Sequence, residues 1–415
     1  MKVFVKMFFI HIGVLICACS GYAEQAQLGI IITTGENNKG CFSWIQERKY
    51  GPTRPAKNNI MPTIADIHAS SNGQYYYILE GAGINRVSKF DISTQDNPKP
   101  IWQYSSQLNT ETNTLPIDIL FIQPNKAYLL RYASPQAWII NPSAPKESEF
   151  HSGDIDLSSY TDNDGSPEMT CGIVVGDKAF IVLKRMDTNN QSYQQAYLAV
   201  IDTKTNLEID THKDQNQIGI PLIVKNPVSI HYIGDTTNKL YVLGTAATNT
   251  FGGIEEIDPD AYTSTVILDG ASQKYFTEMV LLSHTDGFIL AASTPEEQTL
   301  CHLNLKTRTI ENIDFNTINS GYMKSKKLKG MALDQHDRLW IGNQTERTVV
   351  IINSTPNGGL YQSEEDVPIP KNEDVMMKPE QITFCMEPQT TDNDESQKPS
   401  SSGESGNFCF IEVLR

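Results

Sequence analysis

The stretch Leu115 to Pro142 (LPIDILFIQPNKAYLLRYASPQAWIINP) holds three short apolar runs, ILFI, AYLL and AWII, separated by turn-forming residues. Runs of this length, rich in β-branched and aromatic residues and bounded by Gly, Pro, Asn and Asp, are strands. The same three-run pattern returns along most of the chain at a period of about 50 residues, and such a period constrains the fold more than any other feature. First runs stand near Ile64, Ile117, Met169, Val228, Thr277, Gly330 and Gln381, and Pro62, Pro116, Pro167, Pro227 and Pro379 precede five of them. Second runs follow a turn, as in GQYYYIL, NKAYLL, DKAFIVL and NKLYVLG; third runs follow, as in QAWIINP and AYLAVIDT; a shorter, more variable fourth comes last. Helical periodicity is almost absent.

Repeated units of four short antiparallel strands stack as blades around an axis, which defines a β-propeller. Six complete units lie between about Ile64 and Pro370. The chain ends supply the parts of one more: Glu380 to Met386 is a first run with nothing behind it, while Leu28 to Thr34 and Cys41 to Gln46 are second and third runs with no first. Joining them closes the ring and removes the exposed sheet edges. The expected fold is all-β: a seven-bladed β-propeller over residues 28–387, its last blade built from both termini.

Ile341-Gly342-Asn343-Gln344-Thr345-Glu346-Arg347-Thr348-Val349-Val350-Ile351-Ile352-Asn353 resembles the YVTN-type repeat, with an apolar strand, an Asn-rich turn and a second strand. Ala199 to Asn206 is similar to the second half of that repeat, and Ile254 to Pro259 is a weaker echo. The resemblance implies a bacterial cell-surface or periplasmic lipoprotein propeller. It transfers no catalytic residues, because many functions share the fold.

The two ends read differently from the ring. Two lysines within Met1 to Lys6 precede the apolar Met7 to Ile16, which has signal-peptide length. Ile16-Cys17-Ala18-Cys19-Ser20 resembles a bacterial lipobox with Cys19 as the lipidated residue, so residues 1–19 are read as a signal peptide. Ser20 after it resembles the pattern sorted to the outer membrane. Cleavage after Gly21-Tyr22-Ala23, releasing a soluble periplasmic or secreted protein, is the alternative. Residues 388–407 are polar and low in complexity and are expected to be a disordered linker. Phe408 to Val413, within 408–415, reads as a strand added to the closing blade.

Lys+Arg total 33 against Asp+Glu 49, a net charge of −16, which argues against a nucleic-acid surface. The membrane is expected to be met by the lipid anchor only, and the protein to be a monomer. Of seven cysteines, Cys41, Cys385 and Cys409 lie near the chain ends and are the candidates for a disulfide; buried free thiols are the alternative. No CxxC, HExxH, GxSxG or P-loop is present.

Candidate binding residues come from aligning the first runs. One position per unit falls at the channel mouth: Asp66, Asp118, Thr170, Ser229, Glu278, Gly330 and Gln381, with Glu168 close by. The acids form either an electronegative funnel for cationic groups or hydrogen-bond acceptors for neighbouring backbone. Arg131, Lys184, Arg185 and Arg347 fall on loops of the same face, beside the longer polar loops Lys184 to Gln195 and Gly244 to Gly253. Asp162-Asn163-Asp164-Gly165 offers oxygen ligands and a turn glycine, either a calcium loop or a plain Asx turn. His68 and His231 align as equivalent first-strand positions packed between blades. No cofactor is required, with calcium the one candidate. Two functions follow: a non-enzymatic propeller binding a small polar ligand or a protein partner, or a lactonase-like hydrolase using the channel-mouth carboxylates with a divalent metal.

Overall fold

The structure is a computed structural model of the 415-residue chain. It describes residues 27–46, 57–94, 98–187, 192–234, 237–245, 252–269, 275–294, 297–313, 327–354, 360–361, 366–369, 371 and 374–386. The signal segment, Cys19, the 388–407 linker, Cys409 and the strand read at Phe408 to Val413 lie outside these residues.

Seven antiparallel sheets of four main strands each form the ring, one per unit of the sequence repeat. The innermost strands are Ile67–Asn72, Pro116–Gln123, Met169–Val175, Pro227–Ile233, Tyr275–Leu281, Leu328–Leu333 and Lys378–Met386, for blades 1 to 7. Blade 7 has the strand order Lys57–Ile64, Lys39–Gln46, Gln27–Thr34, Lys378–Met386, so the N-terminal strand is zipped between the C-terminal strand and its own hairpin partner. Its register runs from Gln27 opposite Met386 to Thr34 opposite Lys378.

The alternation along each second strand shows why the sheets stack face to face. In Lys126–Arg131, Ala127 and Leu129 join Tyr77, Leu79 and Val87 in the core between blades 1 and 2. Tyr128 and Leu130 point the other way, to Ala179, Ile181 and Leu183 of blade 3. A strand turns successive side chains to opposite faces, so both faces of each blade are apolar and each needs a neighbour. Seven clusters result, one for each seam between adjacent blades. Each buried Leu, Ile or Phe contributes roughly 1.5–3 kcal/mol.

A β-bulge recurs near the start of the innermost strand in six of the seven blades. The ladder to the second strand passes from Pro116 to Asp118, Pro227 to Ser229 and Pro379 to Gln381, and likewise over Thr170, Thr277 and Gly330. The prolines stand where a ladder bond is missing, a place that tolerates a residue without an N–H. Gly330, with φ +76°, sits against the backbone of Gln381 and Glu380, where a Cβ would be crowded at 3.1 Å. Only the innermost strand of blade 1 pairs without a bulge.

Candidate functional site

The innermost strands all begin on one face of the ring, called the upper face here; the turns to the second strands lie on the lower face. The bulges change which residues are equivalent at the channel. Asp118, Ser229, Glu278 and Gln381 stand at the same rung, opposite Leu130, Leu243, Leu290 and Ile32. In the other blades that rung is held by Cys171, Met331 and His68, not by Thr170, Gly330 and Asp66. Asp66 precedes its strand, half-exposed, with its carboxylate 3.7 Å from His68 Nε2. His68 is thus the counterpart of Ser229, and His231, opposite Tyr241, lies two residues deeper. The expected equivalence of the two histidines does not hold.

The rung residues clasp the next blade. Asp118 accepts hydrogen bonds from the Ser70 hydroxyl at 3.0 Å, from Ile119 N–H at 2.8 Å and from Gly172 N–H of blade 3. Glu278 accepts from Gly330 N–H at 2.9 Å and Met331 N–H at 2.7 Å, both in blade 6. Gln381 bonds both backbone groups of Ala69 in blade 1, each at 3.0 Å. The Cys171 sulfur accepts from Ile230 N–H of blade 4. Burial pushes the pKa values of Asp118 and Glu278 upward, opposed by the N–H donors that favour the charged form. Two of the three acids read as a funnel are therefore engaged in holding blades together.

Three of the other sequence-derived candidates converge at the upper corner of blades 2 and 3. Asp162, Asp164 and Glu168 bring their carboxylates together, with the ligand atoms all within 4.8 Å of one another. The loop folds this way because Asp162 accepts Asp164 N–H at 3.2 Å and Asp164 accepts Ser166 N–H at 3.1 Å, as Asx turns do. Gly165 supplies the positive φ of +87°. The Ser166 hydroxyl then donates to Tyr132 O at 2.6 Å, tying the loop to blade 2. Glu168, only 1 % exposed, takes a left-handed φ of +48° and accepts Met186 N–H at 2.8 Å. Burial, reinforced by Asp164 and Asp162, raises its carboxyl to about 8. An all-oxygen set of this kind suits a hard cation such as calcium, with backbone or water oxygens completing the shell. Asx turn and cation ligand set are here compatible in one loop.

The basic candidates are more constrained than loop residues. Lys184 N–H donates to Glu168 O at 3.0 Å, and burial lowers the pKa of its ammonium while the charge of Glu168 opposes this. Arg185 is pinned by Tyr160 O at 2.7 Å and Gln195 O at 2.9 Å, beside the Tyr197 ring. Arg131 is not on a loop. It ends the strand Lys126–Arg131, fully buried, with Glu111 at 2.8 Å and the Trp138 ring beneath its guanidinium at 4.4 Å. A buried guanidinium needs such a partner, and its burial between Glu111 and Trp138 keeps Arg131 out of reach of solvent. Arg347 stands apart on blade 6, at φ +60°.

The cysteines take the free-thiol alternative where they are described. Cys41 and Cys385 are buried and form no disulfide with each other, standing opposite Thr33 and Leu28 of the same strand. Five residues of strand separate those rungs by roughly 17 Å, too far to bridge. In the loop after Lys184, Met186–Asp187 pairs with Ser192–Tyr193 as a small hairpin. The second long loop lies largely outside the described residues. Among the described residues, no helix is long and apolar enough to cross a membrane.

No protein-family model matches the chain, and no curated protein matches it. Solved structures do. A Bacteroides fragilis protein provisionally described as a 6-phosphogluconolactonase aligns at TM-score 0.59 and 10 % identity, over 88 % of this chain and 99 % of its own. A Bacteroides uniformis protein of the same provisional description gives 0.56 and 10 %, over 87 % and 99 %. The Pseudomonas aeruginosa periplasmic gluconolactonase gives 0.52 and 10 %, over 87 % and 100 %. At such identities the likeness concerns backbone architecture, and what this chain shares with these proteins is the seven-bladed propeller.

Proposed function

We propose that this protein is a YVTN-type, non-enzymatic binding propeller, lipid-anchored through Cys19 in the periplasm or at the cell surface, that holds a small polar ligand or a protein partner on its upper face. One observation carries the reading: Asp118 and Glu278, the channel carboxylates nearest to a catalytic role, each receive hydrogen bonds from the next blade's backbone. A general base or nucleophile needs a lone pair free to meet substrate, and these are directed into the ring itself. The Asp162, Asp164 and Glu168 corner is where a calcium ion would order the upper face. The alternative is a lactonase-like hydrolase, and the likeness to gluconolactonase structures is reason to test it.

The deciding experiment is hydrolysis of a panel of sugar lactones by the purified protein, with and without added calcium, magnesium or zinc. The expected result is no turnover above the spontaneous rate, with Asp118→Asn and Glu278→Gln changing stability instead. Turnover abolished by either substitution in a protein that still folds would establish the hydrolase.

A further inference from the structure

The described N-terminal strand begins at Gln27, at the lower end of blade 7. Gln27 pairs with Met386, whose N–H donates to Gly73 O in the lower-face turn of blade 1 at 3.0 Å. From there the strand climbs to Thr34, opposite Lys378, on the upper face. Seven residues, 20–26, separate Gln27 from Cys19. Eight residue steps span at most about 28 Å when fully extended. The strand Gln27–Thr34 has eight residues, so the faces stand roughly 25 Å apart. Because this strand is enclosed within blade 7, a tether leaving its lower end reaches the upper face only around the outside of the ring. That path is longer than the tether.

We infer that the propeller is held lower face toward the lipid surface, presenting the upper face, with Asp162, Asp164 and Glu168, away from it. The inference rests on lipidation of Cys19 as proposed above. The tether sets this orientation, not charge: on the lower face Lys146, Lys178, Lys204 and Lys239 each meet a carboxylate, from Glu149, Asp260, Asp177 and Asp258. With these four lysines paired and the chain carrying a net charge of −16, little is left to attract an anionic bilayer. The ligand or partner of the upper face is consequently soluble, or carried by a molecule facing this membrane, rather than a headgroup of the membrane that holds the anchor.

Two exposed positions bracket the same innermost strand of blade 2: Thr112 on the upper face and Asn125 on the lower. Full-length lipoprotein carrying Thr112→Cys or Asn125→Cys, labelled with a fluorophore and bound to liposomes with nitroxide-headgroup lipids, reads the orientation. The unsubstituted protein corrects for native thiols. Quenching at Asn125→Cys is expected to exceed that at Thr112→Cys at least threefold, independent of salt. Inserting twenty Gly and Ser residues after Ser20 should erase the difference. Equal or reversed quenching overturns the orientation, and a difference that survives the insertion overturns the tether as its cause. Mass spectrometry of the N-terminal peptide tests the underlying reading separately: an unmodified Cys19 refutes the anchor, and the orientation falls with it.

Discussion

Gln381 closes the ring with a side-chain amide that does what backbone does inside a sheet, exchanging two hydrogen bonds with Ala69. Glu278 performs the same task with a carboxylate and two N–H donors. Glu278→Gln replaces one of those acceptors by an NH2 group, so one N–H of blade 6 loses its partner. The expected cost is about 1–3 kcal/mol, read by urea denaturation. Removing the carboxylate of Asp118, as Asp118→Ala, should cost a similar amount by stranding Ser70 and Gly172. A second carboxyl gives a pH signature. Glu208, hydrogen-bonded by the Tyr160 hydroxyl, is raised by burial to about 7. Its proton is held more tightly in the folded state than the unfolded. The resulting stabilisation is complete below the unfolded pKa of about 4.5 and is lost as pH rises through 7. Wild-type stability should thus decline relative to Glu208→Gln between pH 5 and 8, and parallel curves for the two proteins across that window would show the group to be unperturbed.

The loop and strand that form the Asp162, Asp164 and Glu168 corner behave as one element. Asx turns curl the loop, Ser166 fastens it to Tyr132, and Met186 N–H fixes the Glu168 carboxylate. Three converging carboxylates repel one another unless protonated or bridged by a cation. Millimolar calcium is therefore expected to raise the melting temperature by several degrees beyond matched sodium chloride, and Asp164→Asn to abolish the gain. No differential shift in a thermal denaturation series would leave the loop a plain Asx turn. In the sequence the Asp-Asn-Asp-Gly run reads either as a calcium loop or as a plain Asx turn, while Glu168 falls beside the channel-mouth positions. Glu168, at φ +48°, places its carboxylate beside those of the two aspartates. At the innermost strands the misplaced equivalents trace to the bulges: Thr170 and Gly330 are the extra, bulged residues of blades 3 and 6, and blade 1 has no bulge, so its rung falls to His68. Pairing from the apolar residue just before the last of the second strand, Leu79 in blade 1 and Val182 in blade 3, finds His68 and Cys171.

At the scale of the whole molecule, stability depends on closing the ring. The N-terminal strand Gln27–Thr34 contributes Ile30 and Ile32 to the seam with blade 1 and Ile31 to the seam with blade 6. Ile31→Asp buries an unpaired carboxylate between blades and should destabilise the ring by more than 3 kcal/mol. An unchanged denaturation midpoint would mean that blade 7 is not needed for closure. The strand repeat, the number of blades and the sharing of the last blade between the termini are legible in the chain alone, because periodic apolar runs and turn residues are local properties. Tertiary structure decided which residues meet: that Asp118 and Glu278 serve neighbouring blades, that Arg131 is buried against Glu111, and that Glu168 joins Asp162 and Asp164. Each of those outcomes depends on a bulge, a backbone conformation or a partner from another blade. Contacts across seams join residues distant in the chain, and no single repeat encodes them.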